Sequence, residues 1–356
     1  MRVLFSPRLF AYKSLLRPAN RAGMAVMQDT LNRSLRDLRL SVTDRCNFRC
    51  RYCMPREVFG HGYDFLPRTE ILSLEESARL VRIFASLGME KLRLTGGEPL
   101  LRRNLEALVG MVRGTPGLRD IALTTNGSVL SGKALVLREA GLDRITVSLD
   151  ALDDATFRAM NDADFPVSRV IEGIDAALAA GFSPIKVNMV VKRGVNEDQI
   201  AEMARRFSGP QYVLRMIEFM DVGNSNGWRM ADVVPAAEIL ARTEMALVPL
   251  APNYEGETAL RYRTPEGGEI GIIASVTRPF CRGCTRARLT ADGKLFTCLF
   301  SSHGFDLRAP LRSGANDAEI AGLISGVWGK REDRYSELRT SETAALPKAE
   351  MSLLGG

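Results

Sequence analysis

The segment "LRLSVTDRCNFRCRYCMP", residues 38–55, runs from a β-type stretch directly into three cysteines. The stretch "LRLSVT" (38–43) has the composition of a β-strand. Cys46, Cys50 and Cys53 follow it in a C-x3-C-x2-C arrangement. A strand that leads into a group of thiols is the first predicted element of the fold and the first candidate for its functional site.

Short β-type runs and helical stretches alternate along the next part of the chain. Strands are predicted at 38–43, 91–95, 120–125, 144–149, 185–191 and 213–219. Helices are predicted from a capping box at Ser73 to Gly88, and near 103–113, 132–140, 168–180 and 196–207. This alternation indicates βα units around a parallel sheet. We therefore predict an α/β fold, an incomplete (β/α)6 TIM-type barrel rather than a complete eightfold one.

Polar and glycine-containing segments follow several of the predicted strands. The second strand leads into "GGEP" (96–99), the third into Asn126 and Gly127, and the fourth ends at Ser148 and Asp150. Ligands of such barrels bind at the carboxyl ends of the strands, so these segments are site candidates. "GGEP" alone would be an ordinary tight turn, but its position opposite the cysteine loop favours a role in the site.

The pattern changes after about residue 250. "ETALRYRT" and "GEIGIIAS" are predicted to be antiparallel strands joined by a turn at "PEGG". "FCRGCTRARLTADGKLFTCLF" (280–300) then carries Cys281, Cys284 and Cys298, a second triplet that accounts for all six cysteines. The predicted domains are an N-terminal extension expected to be disordered (1–35), the barrel (36–250), a C-terminal domain of antiparallel strands with the second triplet (251–330), and a loosely ordered tail ending in Gly-Gly (331–356).

The charge distribution bears on partners and location. The chain has a net charge of +6, but five of these charges precede Asp29, and no basic block with interleaved aromatics follows. We therefore expect no nucleic-acid partner. No apolar run is long enough to span a membrane, so the protein is expected to be cytoplasmic and away from membranes. The Arg- and Ser-containing leader leaves alternatives open: a mitochondrial transit peptide, a disordered extension, or a start at Met24 or Met27.

The two cysteine triplets have several chemical explanations. Disulfides are disfavoured in a reducing compartment and between residues this close in a tight loop. Structural zinc usually takes four protein ligands, and the chain has only two histidines, His61 and His303. A four-iron cluster held by three cysteines keeps one iron free for a substrate. A zinc-stabilised binding module remains the non-enzyme alternative. A hydrolytic metalloenzyme is disfavoured, since two histidines can hardly build its metal site.

The combination of motifs resembles a known family. C-x3-C-x2-C with Tyr52 before its last cysteine resembles the signature of radical S-adenosylmethionine enzymes, and "GGEP" resembles their methionine-binding strand end. "TDRCNFRCRYCMP", "LRLTGGEPLLRR", "EFMDVGNSNGW" and "CTRARLTADGKLFTCLF" together resemble the GTP 3',8-cyclases of molybdenum cofactor biosynthesis, from about residue 36 to 310. Another radical S-adenosylmethionine enzyme with an auxiliary cluster is the nearest enzyme alternative. Arg286, Arg288 and the terminal Gly-Gly speak against it.

The resemblance implies two [4Fe-4S] clusters and S-adenosylmethionine as cofactors. Cys46, Cys50 and Cys53 would hold the first cluster, and Cys281, Cys284 and Cys298 the second. S-adenosylmethionine would be bound by Tyr52, Gly97, Ser148 and Met220. Taken singly, these four residues also have ordinary explanations, such as a turn glycine, a strand-end cap or a buried filler.

The same resemblance implies a GTP site and a reaction. GTP would be bound by Arg39, Arg93, Thr124, Lys186, Arg286, Ala287 and Arg288, with Arg39, Arg286 and Arg288 acting in catalysis. The lyase would form a bond between C3' of the ribose and C8 of guanine, giving (8S)-3',8-cyclo-7,8-dihydro-GTP. Plain alternatives are that Arg39 and Arg93 face solvent and that Arg286 and Arg288 form an exposed edge-strand pair.

Partners also follow from the resemblance. They are GTP, an electron donor such as flavodoxin or ferredoxin, and the downstream cyclic pyranopterin monophosphate synthase, and the protein would be a monomer or a homodimer. The terminal glycines would reach into the active site, with a frayed, functionless terminus as the competing explanation.

Overall fold

Six strands, each preceding a helix or a 3-10 turn, form the parallel centre of the fold. The computed structural model describes residues 27–254 and 256–355. The strands are β1 (Asp37–Ser41), β2 (Lys91–Thr95), β3 (Asp120–Thr125), β4 (Arg144–Ser148), β5 (Ile185–Val191) and β6 (Tyr212–Glu218). They pair in chain order, each parallel to the next. The prediction of six strands and of the barrel-type α/β fold is confirmed, and β2, β3 and β5 have the predicted bounds.

The helices cover this sheet. They are α1 (Leu74–Ser86), α2 (Leu105–Val112), α3 (Ala134–Glu139), α4 (Asp154–Asn161), α5 (Val167–Ala179), α6 (Ile200–Arg206), α7 (Ala236–Arg242), α8 (Arg308–Arg312), α9 (Asp317–Gly329), α10 (Ser341–Ala344) and α11 (Met351–Leu354). The capping box predicted for α1 is present: Ser73 accepts from the backbone of Glu76, whose side chain accepts from the backbone of Ser73. The sequence did not predict α4.

The strands after residue 247 extend this sheet at both of its edges. They are β7 (Val248–Leu250), β8 (Leu260–Arg263), β9 (Glu269–Ile273), β10 (Arg286–Leu289), β11 (Lys294–Phe296) and β12 (Phe305–Asp306). The order among the described residues is β12-β11-β10-β1-β2-β3-β4-β5-β6-β9-β8-β7. The predicted antiparallel pair is β8 with β9. In addition, β9 joins β6 and β10 joins β1, both in parallel, so the C-terminal strands continue the barrel's own sheet.

Both predicted loose ends are packed where the structure describes them. Asp29, Arg33 and Leu35 are buried, and Gln28 forms an antiparallel bridge with Ser34. The disordered extension was therefore predicted to end too late, although residues 1–26 lie outside the described residues. The tail also differs from the prediction, because Arg331 and Leu354 are both buried. The polar composition of both segments had indicated disorder, but most of their charged side chains pair with other residues inside the protein.

No helix of the described part of the chain is long and apolar enough to cross a membrane.

Candidate active site

The interior of the barrel holds a cavity of about 650 Å³. Among the residues that line it are twelve of the predicted site residues: Arg39, Tyr52, Arg93, Thr124, Ser148, Lys186, Met220, Cys281, Cys284, Arg286, Arg288 and Cys298. Five predicted site residues are not part of this lining: Cys46, Cys50, Cys53, Gly97 and Ala287. The fully buried side chain of Ala287 belongs to the hydrophobic core. The sequence pattern therefore located most of one continuous cavity.

Strand alternation explains why so many cations face this cavity. Arg39 lies between Leu38 and Leu40 on β1, and both leucines are fully buried in the core. Arg93 has the same relation to Leu92 and Leu94 on β2. Since successive side chains of a strand point to opposite faces, the arginines point into the barrel. The alternative in which they face solvent is wrong, because both line the cavity.

The arginines crowd one another in this interior. Burial lowers the pKa of Arg39 well below its ordinary value, and the charges of Arg288, Arg93 and Arg286 lower it further. Burial, followed by the charge of Arg286, also lowers the pKa of Arg288 to about 10. Uncompensated buried cations are unfavourable, so the cavity is electrostatically prepared for a polyanion.

Lys186 on β5 experiences the same field. Burial, and then the charges of Arg215, Arg144 and Arg93, lower the pKa of its ammonium group to about 7. Arg144 and Arg215 also line the cavity and were missed by the sequence analysis. Both stand at inward positions of predicted strands, so alternation applied to those strands would have found them.

Hydroxyl groups hold Arg93 in place. Its Nη1 donates to Oγ1 of Thr124 at 3.0 Å and to Oγ1 of Thr146 at 3.1 Å. Thr146 was also missed. Because both acceptors are neutral, the guanidinium keeps its charge available to a ligand.

The first triplet lies in a tight loop after β1. The backbone N–H groups of Cys53 and Met54 both donate to the carbonyl of Cys50, at 2.9 and 2.8 Å. Burial, and then the charge of Glu98, raise the pKa of Cys46 to about 11. Burial, followed by the charge of Cys46, raises the pKa of both Cys50 and Cys53. Forming thiolates here therefore requires a cationic partner such as a metal centre.

The two glycines of "GGEP" make room for this loop. A Cβ on Gly97 would lie 2.3 Å from the carbonyl oxygen of Arg45, and one on Gly96 would lie 2.4 Å from that of Thr43. Gly96 also has a φ of +144°, which favours glycine. The backbone N–H of Gly97 donates to the carbonyl of Thr43 at 2.9 Å. In this structure, therefore, Gly97 packs against the cysteine loop.

Glu98 ties the same turn to the next strand. Its carboxylate accepts hydrogen bonds from the hydroxyl of Thr125 and from the backbone N–H groups of Asn126 and Leu100, at 2.7 to 2.9 Å. Burial raises the pKa of Glu98 to about 7. Asn126 in turn directs its side-chain amide at the sulfur of Cys46, at 3.8 Å. Three strand ends therefore support the first triplet.

Tyr52 connects this loop to the cavity. Its hydroxyl donates to Oδ2 of Asp150 at 2.8 Å, and the backbone N–H of Val190 donates to Oδ1 of the same carboxylate. Burial raises the pKa of Asp150 to about 6. Tyr52, Ser148 and Met220 all line the cavity, and Tyr52 lies between Cys50 and Cys53 in the chain.

The second triplet faces the cavity directly, in cationic surroundings. Arg286 directs Nε and Nη2 at the sulfur of Cys284, at 3.4 and 3.3 Å, and Nη2 of Arg331 lies 3.2 Å from the same sulfur. Burial opposes ionisation of this thiol, but the two guanidinium groups lower its pKa to about 6. Burial raises the pKa of Cys298 to about 11. An edge-strand pair in solvent is therefore wrong for Arg286 and Arg288, since both line the cavity.

All six cysteines are free thiols, so the disfavoured disulfides are absent among them. Across the described ranges, no three Cys, His, Asp or Glu side chains are placed so that they could hold one metal ion. In an iron–sulfur cluster each thiolate binds its own iron, so more widely spaced sulfurs remain suitable ligands. Each site offers three thiols, and at the second site two arginines stabilise the thiolate of Cys284. Both triplets therefore fit such clusters chemically.

The C-terminal segment enters the barrel between the two triplets. The hydroxyl of Ser41, on β1, donates to the carbonyl of Leu353 at 2.9 Å. Arg288, on β10, donates to the carbonyl of Gly355 at 2.7 Å. Gly355 has a φ of +72°, and a Cβ there would lie 2.3 Å from Cγ2 of Thr95. Gly356 lies outside the described residues, but Gly355 already reaches a predicted substrate-binding arginine.

Glu350 attaches this segment to the loop that follows β6. Its carboxylate accepts from the backbone N–H of Asn224 at 3.1 Å and from the hydroxyl of Ser225 at 2.8 Å. The same loop carries Met220, a predicted cofactor-binding residue. The loop therefore contacts the C-terminal segment and positions Met220 as well.

Two family models match successive parts of the chain. Residues 40–207 match the Radical SAM superfamily, and residues 212–337 match Molybdenum Cofactor Synthesis C. The chain is 52% identical over 358 residues to the GTP 3',8-cyclase of Acidothermus cellulolyticus, covering 93% of this chain and 99% of that protein. It is 47% identical over 335 residues to the GTP 3',8-cyclase of Staphylococcus saprophyticus, covering 92% and 98%.

A solved structure, the FeFe-hydrogenase maturase HydG from Carboxydothermus hydrogenoformans, aligns with a TM-score of 0.43 and 15% identity. The alignment covers 59% of this chain and 51% of that one.

Proposed function

Since this chain belongs to the GTP 3',8-cyclase family of the radical S-adenosylmethionine superfamily, we propose that it converts GTP to (8S)-3',8-cyclo-7,8-dihydro-GTP. This is the first step of molybdenum cofactor biosynthesis and makes the protein a lyase that closes a C–C bond. One observation supports the proposal most strongly: a cavity of about 650 Å³ has arginines along its walls, the second cysteine triplet in its lining, and Tyr52 of the first cysteine loop at its wall.

The two triplets would hold two [4Fe-4S] clusters. Cys46, Cys50 and Cys53 would bind the first, and Cys281, Cys284 and Cys298 the second. When bound, the first cluster and S-adenosylmethionine supply a 5'-deoxyadenosyl radical inside the cavity. Tyr52, Ser148 and Met220 line the wall where that cosubstrate would be bound. Gly97 would contribute its backbone, because its close packing against Arg45 fixes the turn beside the cysteine loop.

The arginine-rich walls would bind the triphosphate of GTP. Arg39, Arg93 and Lys186 offer charge-assisted hydrogen bonds to phosphate oxygens, and Thr124 holds Arg93 in position. Arg286 and Arg288 extend this cationic surface to the second triplet, beside which the guanine would lie. Ala287 can contribute only its backbone, because its side chain is in the core.

The reaction needs a closed and well-oriented site. It removes one hydrogen atom from C3' of the ribose, joins C3' to C8, and adds one electron and one proton. The residues Arg39, Arg286 and Arg288 would act in catalysis by holding the nucleotide so that C3' faces the first triplet and C8 lies within reach of C3'. The tail at Gly355 fills space beside Arg288 and keeps water away from the reacting atoms.

The remaining assignments are part of the same proposal. The barrel (36–250) would provide the radical chemistry, and residues 251–330 would provide the second cluster. GTP is the substrate, a flavodoxin or ferredoxin is the proposed electron donor, and the product would pass to cyclic pyranopterin monophosphate synthase. We place the protein in the cytoplasm as a monomer or homodimer.

An anaerobic assay tests the proposed function. Reconstituted protein is supplied with GTP, S-adenosylmethionine and a reductant, and the reaction is scored for 5'-deoxyadenosine and for the cyclised nucleotide. Both products are expected in equal amounts. Deoxyadenosine without a GTP-derived product would support another radical enzyme of the superfamily, and a colourless, zinc-containing protein would support a binding module.

A further inference from the structure

Arg331, directly after α9, is attached to one cysteine of the second triplet. Its Nη2 lies 3.2 Å from the sulfur of Cys284, and its Nη1 donates to the carbonyl of Cys284 at 2.7 Å. The side chain is only 1% exposed. The buried guanidinium therefore contacts both the side chain and the backbone of a single predicted cluster ligand.

The orientation of this guanidinium is fixed by residues that no substrate reaches. Its carbon lies 4.6 Å from the ring centre of Trp328, and Nη1 lies 3.3 Å from Oδ2 of Asp29. Asp29 is held in turn by the backbone N–H and the Nε of Arg33, at 2.8 and 2.6 Å. Arg33 also donates to the carbonyl of Cys281 at 3.0 Å. The segment before β1 therefore positions Arg331 across about 300 residues of sequence.

Arg331 also faces a second carboxylate, since its Nε lies 3.4 Å from Asp333. These acids keep the buried cation from being an isolated charge. They do not remove its hydrogen bond to sulfur. Arg331 and Asp333 also border the cavity, but the hydrogen bonds of Arg331 go to Cys284 and Asp29.

We propose that Arg331 is a positioning residue that raises the reduction potential of the second cluster through its hydrogen bond to the sulfur of Cys284. The inference rests on the second cluster of the proposed function. Reduction adds one negative charge to a cluster, so a fixed cation and an N–H donor at a ligand sulfur favour the reduced form. At the first triplet, the donors to Cys46 are neutral, namely the backbone N–H of Phe48 and the amide of Asn126.

The direct test is a potentiometric titration of the reconstituted full chain, followed by electron paramagnetic resonance. A C46A/C50A/C53A variant assigns the signal of the second cluster. Arg331→Gln is expected to shift the second midpoint to a more negative potential and to leave the first unchanged. The matched control is Lys330→Gln, which removes the same charge from the adjacent, exposed position and should move neither midpoint. Arg331→Lys should lie between wild type and Arg331→Gln.

Asp29→Asn supplies a test of opposite sign. This change removes a negative charge beside Arg331 and preserves the shape of the side chain, with one amide oxygen left to accept from the backbone N–H groups of Leu31 and Arg33. The second midpoint should therefore move to a more positive potential. If the network were purely structural, it would loosen in both variants. The midpoint of the second cluster would then shift in the same direction in Arg331→Gln and in Asp29→Asn, which would overturn the proposal. If Arg331→Gln fails to hold iron, the sign of the Asp29→Asn shift decides alone.

Iron content separates this inference from the proposed function. If the wild-type protein binds only one cluster, the proposal of a second cluster is wrong, and this inference is wrong with it. Wild-type protein with two clusters, whose second midpoint is the same in Arg331→Gln and Asp29→Asn, would overturn the inference and leave the proposed function in place.

Discussion

The two cysteine triplets each provide three thiols, but the charges that act most strongly on Cys46 and on Cys284 have opposite sign. Burial and the carboxylate of Glu98 raise the pKa of Cys46 to about 11. At the second triplet, two guanidinium groups outweigh burial and lower the pKa of Cys284 to about 6. Both sites have three thiols, so we infer from the difference in their surroundings that the two proposed clusters have different tasks.

This contrast matches the two halves of the proposed reaction. A cluster in neutral to acidic surroundings is a strong reductant, as cleavage of a sulfonium requires. The cationic side of the cavity suits a triphosphate and stabilises the charged nucleotide beside the second triplet. The same field would orient GTP, with its phosphates along Arg39 and Arg93 and its base toward Cys284.

Removing either cluster should have the largest effect, and the two removals should differ. Cys50→Ala should reduce 5'-deoxyadenosine formation to background, because no radical can be formed. Cys298→Ala should retain deoxyadenosine formation and lose the cyclised product, because only the substrate side is damaged. Chromatography of both products from one reaction makes the comparison. Equal loss of deoxyadenosine in the two variants would show that the sites do not divide the work.

The C-terminal segment bridges the two regions, so disturbing it should reduce turnover without removing iron. Gly355→Ala places a Cβ against Thr95 in a left-handed backbone conformation. We expect product formation to fall by about tenfold or more, since even a misplacement of about 1 Å can cost about a hundredfold. Gly314→Ala is the control, because Gly314 also has positive φ but open space around it. Iron content should be normal in both variants, and equal activities would contradict the account.

Lys186 gives the cationic wall a measurable pH dependence. Its pKa is about 7 in the free protein, and a bound triphosphate should raise it. At pH 6 the ammonium group of Lys186 is already protonated in the free protein, so GTP binding takes up few protons there. At pH 8 binding should take up close to one proton at Lys186, and affinity should fall by up to about tenfold per pH unit above 7. Calorimetry of GTP binding in two buffers of different ionisation enthalpy measures the uptake.

The control for this experiment is Lys186→Arg, which keeps the charge but does not titrate in this range. Any proton release by the phosphate itself should remain in this variant, and the uptake at Lys186 should disappear. If the two proteins take up the same number of protons, Lys186 is not the coupled group.

The smallest effect is expected outside both regions. Ser73→Ala removes the cap of α1 and should lower the free energy of unfolding by about 1 kcal/mol. Thermal unfolding should show a melting temperature lower by about 2 °C. Ser73→Asp, which can still accept from the backbone, should stay close to wild type. If Ser73→Ala shifted the midpoint potential of either cluster, the surroundings of the triplets would depend on α1 more than we infer.

Local patterns predicted the parts of this molecule that depend on local sequence. The bounds of β2 and β5 and the cap at Ser73 follow from short-range patterns. The role of Arg39 was predicted from the family resemblance, and its inward position agrees with strand alternation. Arg144 and Arg215 obey the same alternation and could have been found with it.

Long-range pairing has no such signal. Nothing near β9 or β10 indicates that they join β6 and β1 in parallel, because only the completed sheet defines those edges. The contact between Asp29 and Arg331 links residues 302 positions apart, and each looks like an ordinary surface charge in the sequence. The packed tail was missed for the same reason, since its polar groups find partners only inside the fold.

The most direct measurement of the central claim is the midpoint potential of each cluster in the wild-type holoenzyme, determined in one anaerobic titration. The opposite charges around the two triplets predict two separate transitions, with the cluster of Cys281, Cys284 and Cys298 reduced at the higher potential. Coincident midpoints, or a first cluster that is reduced before the second, would contradict the account.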